Sequence, residues 1–352
     1  MDKIIAEDCL QYLPKIDLSP MKGKTVLITG ANGMIGTYLI TLLHMANVKQ
    51  DAGIRIAAVS KHPPCEKLSG LFQNSREKYL FRAADLADSA TLDIPWKTDY
   101  IIHAATYAQP AIFMKNYSET IRLNIFATEN LLKRAKDDGS KFLFLSSSEV
   151  YGNPNPANIP TREDFPGLCS PLSIRSVYAE SKRMGETLCC AYRKFESVDA
   201  KIARVFMSYG PGLTTRDKRV MGQFLKQALL NKKITMLDDG KKVRTFCYVA
   251  DCAAMLLFVL LWGKDVVYNV GAENRITIRQ LAEEICRQTG SSLTVGRPRL
   301  SSEKVVEVSP EIVEPDLTKI RSEFDLPPFM PFQKGLARTI EWNRPLLENN
   351  PR

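Results

Sequence analysis

A chain of 352 residues with 45% hydrophobic and 25% charged content sits in the ordinary globular range and is long enough for one large α/β unit or two domains. Its longest apolar stretches, Ile101–Ala105 and Ala253–Trp262, are too short to span a bilayer. The net charge of +9 comes without a long Lys/Arg block and without aromatics among the basic residues, which argues against a nucleic-acid partner and for an anionic small molecule.

Acidic residues stand near the N-terminus where a signal peptide would be basic, so a cytoplasmic protein with no membrane partner is expected. Eight cysteines lack CxxC spacing, and only His44, His62 and His103 accompany them. That pattern argues against a metal site and for reduced, mostly buried thiols.

Ile4, Ile5, Cys9, Leu10 and Leu13 recur at near-helical spacing, predicting a short helix ended by Pro14. Lys24–Thr29 reads as a buried strand. Gly30-Ala31-Asn32-Gly33-Met34-Ile35-Gly36 follows, then an apolar-periodic helix to about Met45. Glycines at this spacing between strand and helix form a dinucleotide fingerprint. They allow a tight turn and close approach of backbone to a pyrophosphate, which the helix N-terminus then holds. Gly30, Asn32, Gly33, Met34, Ile35 and Gly36 are candidate cofactor contacts.

Ile54–Ser60 is the second strand. An acid for the ribose hydroxyls of NAD is expected at its end, but Ser60 and Lys61 stand there. A hydroxyl and a cation tolerate a 2′-phosphate, so NAD or NADP fits, with a lean to NADP. A third strand ends over Phe81–Leu86, offering Asp85 and Leu86 to the adenine. Asp99–Ala105 is a fourth, whose small Ala104 and Ala105 leave room for a nicotinamide. A helix over about Ser118–Lys136 contains Asn124.

The stretch Lys141–Gly152 is a short apolar run that ends in Ser146, Ser147, Ser148, Glu149 and Tyr151. Ligands of open α/β sheets bind beyond the carboxyl ends of the strands, so these groups are candidates for chemistry. A Pro/Asn-rich loop over about 152–175 could cover a site. The helix that follows carries Tyr178 and Lys182 four residues apart, on one face. An ammonium near the phenol is expected to favour phenolate and lower its pKa, with Ser147 sharing the proton path.

Ala203–Phe206 is a sixth strand. A helix over about Val220–Leu230, a strand Ile234–Leu237, the segment Val243–Val249, a helix to Trp262 and a strand Val266–Val270 come next. Residues 274–342 mix helices with loops rich in Pro and charge. The expected fold is a Rossmann doubly wound parallel sheet with a smaller discontinuous C-terminal α/β substrate domain. The division reads as an N-terminal helical extension over 1–21, an NAD(P)-binding domain over 22–206 plus 243–270, and a substrate domain over 207–242 plus 271–345.

Together Gly30/Gly33/Gly36, His103-Ala104-Ala105, Ser146–Gly152, Tyr178-xxx-Lys182, Tyr209-Gly210-Pro211 and Arg244–Asp251 resemble the extended short-chain dehydrogenase/reductases, in their nucleotide-sugar epimerase, dehydratase and decarboxylase branch. The segments His103–Thr120, Arg175–Arg183 and Asp217–Leu229 are similar to those of the UDP-glucuronate decarboxylases (UDP-xylose synthases). The resemblance implies a homodimer that acts on a nucleotide-sugar by transient oxidation at C4. Tyr178, assisted by Lys182, would take the C4 hydroxyl proton, and Ser147 would bind the same hydroxyl. Glu149 and Arg244 would position the sugar acid and handle a later proton, with Arg175 and Arg219 as further substrate contacts.

This sequence departs from the pattern in three places. Met207 stands where many relatives have Asn, Val313-Glu314 replaces a basic pair, and the acid after the second strand is missing. A nucleotide-sugar 4-epimerase or C4 reductase is the alternative activity. A 4,6-dehydratase fits less well, because Ser148-Glu149 stands in place of its Asp-Glu pair. Outside the class, a non-catalytic Rossmann regulator is disfavoured by the intact Tyr178 and Lys182.

Overall fold

The computed structural model describes residues 2–74, 77–88, 92–296 and 310–348. Seven strands form its main sheet: β1 (Thr25–Thr29), β2 (Arg55–Ser60), β3 (Tyr79–Ala83), β4 (Tyr100–His103), β5 (Lys141–Ser147), β6 (Ala200–Val205) and β7 (Val267–Val270). Their order is β7-β6-β5-β4-β1-β2-β3, and every pairing is parallel. The chain winds outward from β1 through β2 to β3, then returns to β4 and winds the other way. That reversal places a crevice beyond the carboxyl ends of β1 and β4.

Helices cover both faces, which is why the central strands read as continuous apolar runs. Val26 and Ile28 of β1 pack with Tyr38, Leu42 and Leu256, whereas Leu27 packs with Leu131, Phe142 and Cys189 on the other face. The first layer contains helices Met34–Gln50 and Val249–Trp262, and the second contains Tyr117–Asn124, Phe126–Asp138 and Ser176–Phe195.

The helix expected over Ser118–Lys136 is broken at Ile125 (φ −111°, ψ −68°). There the Asn124 carbonyl accepts from Thr128 Oγ1 at 2.8 Å, a side-chain bond that competes with the helical ladder. The break lies against Gly185 of the Ser176–Phe195 helix. A Cβ at Gly185 would stand 2.5 Å from Phe144 Cζ and 2.8 Å from the Asn124 carbonyl oxygen. Only glycine lets that helix sit this close to β5.

The N-terminal helix, Lys3–Tyr12, is capped by Asp2 and packs on the first layer through Ile5, Cys9 and Tyr12. Its buried Asp8 accepts from Tyr38 (2.6 Å) and Tyr248 (2.5 Å) and pairs with Arg338 Nε at 2.6 Å. The segment Val243–Val249 holds two short strands. Val243–Thr245 lies between Arg275–Thr277 and Ile312–Val313, while Cys247–Tyr248 pairs with Ser208–Tyr209. A further pair joins Lys233–Met236 to Ser292–Val295. Within the expected substrate segment, residues 297–309 lie outside the described residues. Among the described residues, no helix is long and apolar enough to cross a membrane.

Candidate active site

β5 delivers Ser147 to the carboxyl edge of the sheet. The Ser147 hydroxyl caps a single 3-10 turn, Ser148–Tyr151, by accepting from the Glu149 N–H at 3.2 Å. The Ser176–Phe195 helix brings Tyr178 and Lys182 under this turn, both buried. The Tyr178 ring stacks on Phe113 at 4.9 Å and 10°. Lys182 Nζ donates to the Leu145 carbonyl at 2.6 Å and lies 4.5 Å from the Phe144 ring centre.

The proton affinities differ from the expectation for a Tyr–Lys pair. Burial pushes the Tyr178 phenol up to about 12, and a hydrogen bond with Ser147 offsets only part of this. Burial likewise pushes Lys182 down to about 7, opposed by the charge of Glu186. The ammonium faces a carbonyl and two ring faces, so desolvation outweighs its attraction for a phenolate. His103 is buried beside them and pushed down to about 3, chiefly by desolvation. Its Nε2 donates to the Leu123 carbonyl (3.0 Å), which leaves Nδ1 to accept from Thr29 (2.7 Å). His103 is thus a neutral strut; Thr29 in turn accepts from the N–H groups of Ala104 and Ala105.

Above Tyr178 and Ser147 the cavity wall carries opposed charges. Arg175 Nη2 bridges both oxygens of Glu149, at 3.0 and 3.2 Å. Arg219 is bound to Asp217 through Nε and Nη2, with Nη2 at 2.6 Å. Arg244 is buried and donates to three carbonyls, those of Val243 (2.7 Å), Pro310 (2.9 Å) and Glu311 (3.2 Å). Burial pushes the Arg244 guanidinium below its ordinary value, while nearby Glu149 works the other way.

The residues at the crevice fit a dinucleotide. Gly30 has φ +69°, and a Cβ there would lie 2.7 Å from the Ala104 backbone. The helix Met34–Gln50 begins at Gly33 with no side-chain cap, leaving its first N–H groups to face an anion. Thr106 Oγ1 in the same wall is buried without a partner among the described residues.

A cavity of about 710 Å³ joins these parts. Its wall contains Gly30, Gly33, Met34, Ile35, Gly36, Ala104, Ser147, Glu149, Tyr178, Arg175, Arg219 and Arg244. Other residues singled out from the sequence stand outside it. Lys182 lies beneath Tyr178, Ala105 follows the wall, and Asn124 donates to Ser181 Oγ at 2.9 Å inside the fold. Asn32 is tied to the loop after β2 by the carbonyls of His62 and Pro63 and the N–H of Cys65. Ser60 ends β2, and Leu86 is buried in the core. Lys61 is paired with Asp85 at 2.7 Å, so the cation offered to a 2′-phosphate already has a carboxylate.

Sequence reasoning missed Phe113, Thr106 and Gln109. Gln109 Oε1 accepts from the Lys218 N–H at 3.1 Å, joining two walls of the cavity. All three lie in the segment after β4, where the signals were its nearness to a strand end and the family likeness of His103–Thr120, neither of which singles out a residue.

The chain matches the NAD dependent epimerase/dehydratase family over residues 26–271. It is 31% identical over 339 residues to UDP-glucuronic acid decarboxylase 1 of Xenopus tropicalis, covering 96% of this chain and 76% of that protein. It is 30% identical over 314 residues to UDP-glucuronic acid decarboxylase 5 of Arabidopsis thaliana, covering 88% and 86%. Among solved structures, the UDP-glucuronic acid 4-epimerase of Bacillus cereus with UDP-glucuronic acid and NAD superposes with a TM-score of 0.75 at 24% identity, covering 92% of this chain and 99% of that one. The UDP-glucose 4-epimerase of Thermotoga maritima gives 0.76 at 22%, with the same coverage. Those two likenesses are of fold. From the family match and the decarboxylase relatives, the chain belongs to the NAD dependent epimerase/dehydratase family.

Proposed function

We propose that this chain is an NAD-dependent nucleotide-sugar decarboxylase that takes UDP-glucuronate through transient oxidation at C4. The observation that carries this reading is the meeting of Glu149, Arg175 and Arg244 over Ser147 and Tyr178. A decarboxylase needs cations for the sugar acid and one proton donor. Ser148 puts a hydroxyl, not a second carboxylate, beside Glu149, where an elimination of water uses an acid–base pair. The curated relatives named as UDP-glucuronic acid decarboxylases support the same reading.

Tyr178 takes the C4 hydroxyl proton, and Ser147 hydrogen-bonds the same oxygen. Lys182, anchored on Leu145, holds positive charge beneath the phenol when it is protonated. Gly30, Gly33 and the N-terminus of the Met34–Gln50 helix would hold NAD, which would supply the acceptor and later the donor of the C4 hydride. A C4 ketone turns the C6 carboxylate into a β-keto acid. The C5–C6 bond then breaks with its electrons drawn toward the C4 oxygen; C5 takes a proton that Glu149 has first gained from solvent, and Tyr178 returns its proton to the C4 oxygen as the hydride comes back. Arg219 and Lys242 in the wall supply charge for the diphosphate, a task the Met207 thioether there cannot perform.

We assign NAD rather than NADP, because a 2′-phosphate must compete with Asp85 for Lys61. The nucleotide-sugar is assigned to the part built from residues 207–242 plus 271–345. Exposed Tyr117, Phe126 and Phe195 on the second helical layer support the homodimer that the resemblance implies. Epimerisation at C4 is the second reading, since it needs only the Tyr178, Lys182 and Ser147 group that meets at the end of β5.

The test is chromatographic separation with mass spectrometry of the products from UDP-glucuronate labelled with ¹³C at C6, since the C4 epimers share one mass. Labelled carbon dioxide and a UDP-pentose are expected. Recovery of UDP-galacturonate selects epimerisation, and unchanged substrate rejects both readings.

A further inference from the structure

Among the described residues three guanidinium groups face the cavity, and they are held differently. Arg219 is bound by both oxygens of Asp217, through two of its nitrogens. Arg244 donates to three backbone carbonyls among the described residues. Arg175 instead rests on Glu149, a side-chain carboxylate that is itself assigned to the chemistry. The Arg175 and Glu149 side chains are 28% and 39% exposed, so the pair stands at the open side of the cavity.

A carboxylate presents the same pair of oxygens to a guanidinium whether it belongs to a side chain or to a sugar acid. The Glu149 carboxylate therefore marks a place and an orientation in which Arg175 accepts a carboxylate. A sugar acid entering beside Glu149 brings a second negative charge to that place. Two carboxylates repel unless a cation lies between them, and Arg175 is the cation in contact with the first. Arg175 also ends the loop over 152–175 and directly precedes the helix that carries Tyr178. A shift of its side chain thus leaves the catalytic phenol in place.

We propose that Arg175 is the residue that selects a sugar acid over a neutral sugar, by exchanging the Glu149 carboxylate for the carboxylate of the substrate. This deepens the decarboxylase reading and rests on it for the identity of the substrate. Loss of the C6 carboxylate as carbon dioxide then removes the new partner, and Arg175 returns to Glu149. The product is released from a site that no longer binds it through charge.

Calorimetric binding of UDP-glucuronate and UDP-glucose to the NAD-loaded protein tests the exchange. Wild type is expected to prefer UDP-glucuronate. Arg175→Gln should weaken UDP-glucuronate at least tenfold and change UDP-glucose less than about threefold, erasing the preference. Arg175→Lys should restore part of it, since the charge remains without the fork.

Glu149→Gln removes the resident competitor and should tighten UDP-glucuronate. That gain should vanish when Arg175→Gln is also present, because no cation is then released. A wild type without preference overturns the proposal, as does an Arg175→Gln protein that keeps its preference or loses both ligands alike. A Glu149→Gln gain that survives in the double variant overturns it too. Arg175-dependent preference without carbon dioxide release would leave the exchange standing and reject decarboxylation instead.

Discussion

Gly185 packs the helix that carries Tyr178 and Lys182 against β5. A methyl group there would stand 2.5 Å from Phe144 Cζ, whereas carbon atoms pack at about 3.5–4.0 Å. Phe144 is fully buried between His103 and Lys182, and the Asn124 carbonyl closes the other side. The Ser176–Phe195 helix must therefore move by about 1 Å, which is the relief the contact needs. Overpacking of this kind costs about 1–3 kcal/mol, and a 1 Å misplacement of reacting groups costs about 100-fold in rate. Gly185→Ala should thus fold, melt a few degrees lower and lose about 10- to 100-fold in kcat. Phe144→Leu added to it removes the clashing ring carbon and should recover most of the rate. Steady-state turnover with a thermal melt reads both effects. A Gly185→Ala enzyme within twofold of wild type would refute the reasoning, and so would a double variant no faster than the single.

Tyr178→Phe should reduce turnover at least 100-fold while leaving NAD binding intact by fluorescence titration; substantial residual turnover removes Tyr178 from the chemistry. The second concerns acid stability. His103 titrates at about 3 in the fold against an ordinary 6.5, so the unfolded chain binds more protons between these values. Its contribution is full above pH 6.5 and is lost as pH falls toward 3, by about 2 kcal/mol between pH 7 and pH 5. Denaturant melts of wild type and His103→Gln should differ in pH slope by that amount; equal slopes would contradict a buried neutral imidazole. Finally, wild type should bind NAD about tenfold more tightly than NADP, and Lys61→Ala should leave NAD affinity within about threefold. Tighter binding of NADP would mean that Lys61 leaves Asp85 for the phosphate.

The sheet was legible because each of its strands, from Thr25–Thr29 to Val267–Val270, announces itself locally. Strands covered on both faces are short apolar runs, and the glycine turn after β1 is continuous in sequence. The helix break at Ile125 was not legible. It depends on Gly185, sixty residues on. The same holds for Phe113 on Tyr178 and for Arg175 on Glu149, contacts between side chains remote in sequence. The substrate-side strands are short, and their partners come from distant segments, so the segment Val243–Val249 divides between two small sheets.

The sequence by itself determined that Tyr178 and Lys182 share a helical face and that Ser147 ends a strand, because spacing along a helix and burial along a strand are local properties. Tertiary structure alone decided their protonation. Desolvation raises the phenol and lowers the amine, since free energy of charge depends on everything packed around a group and not on its neighbours in the chain.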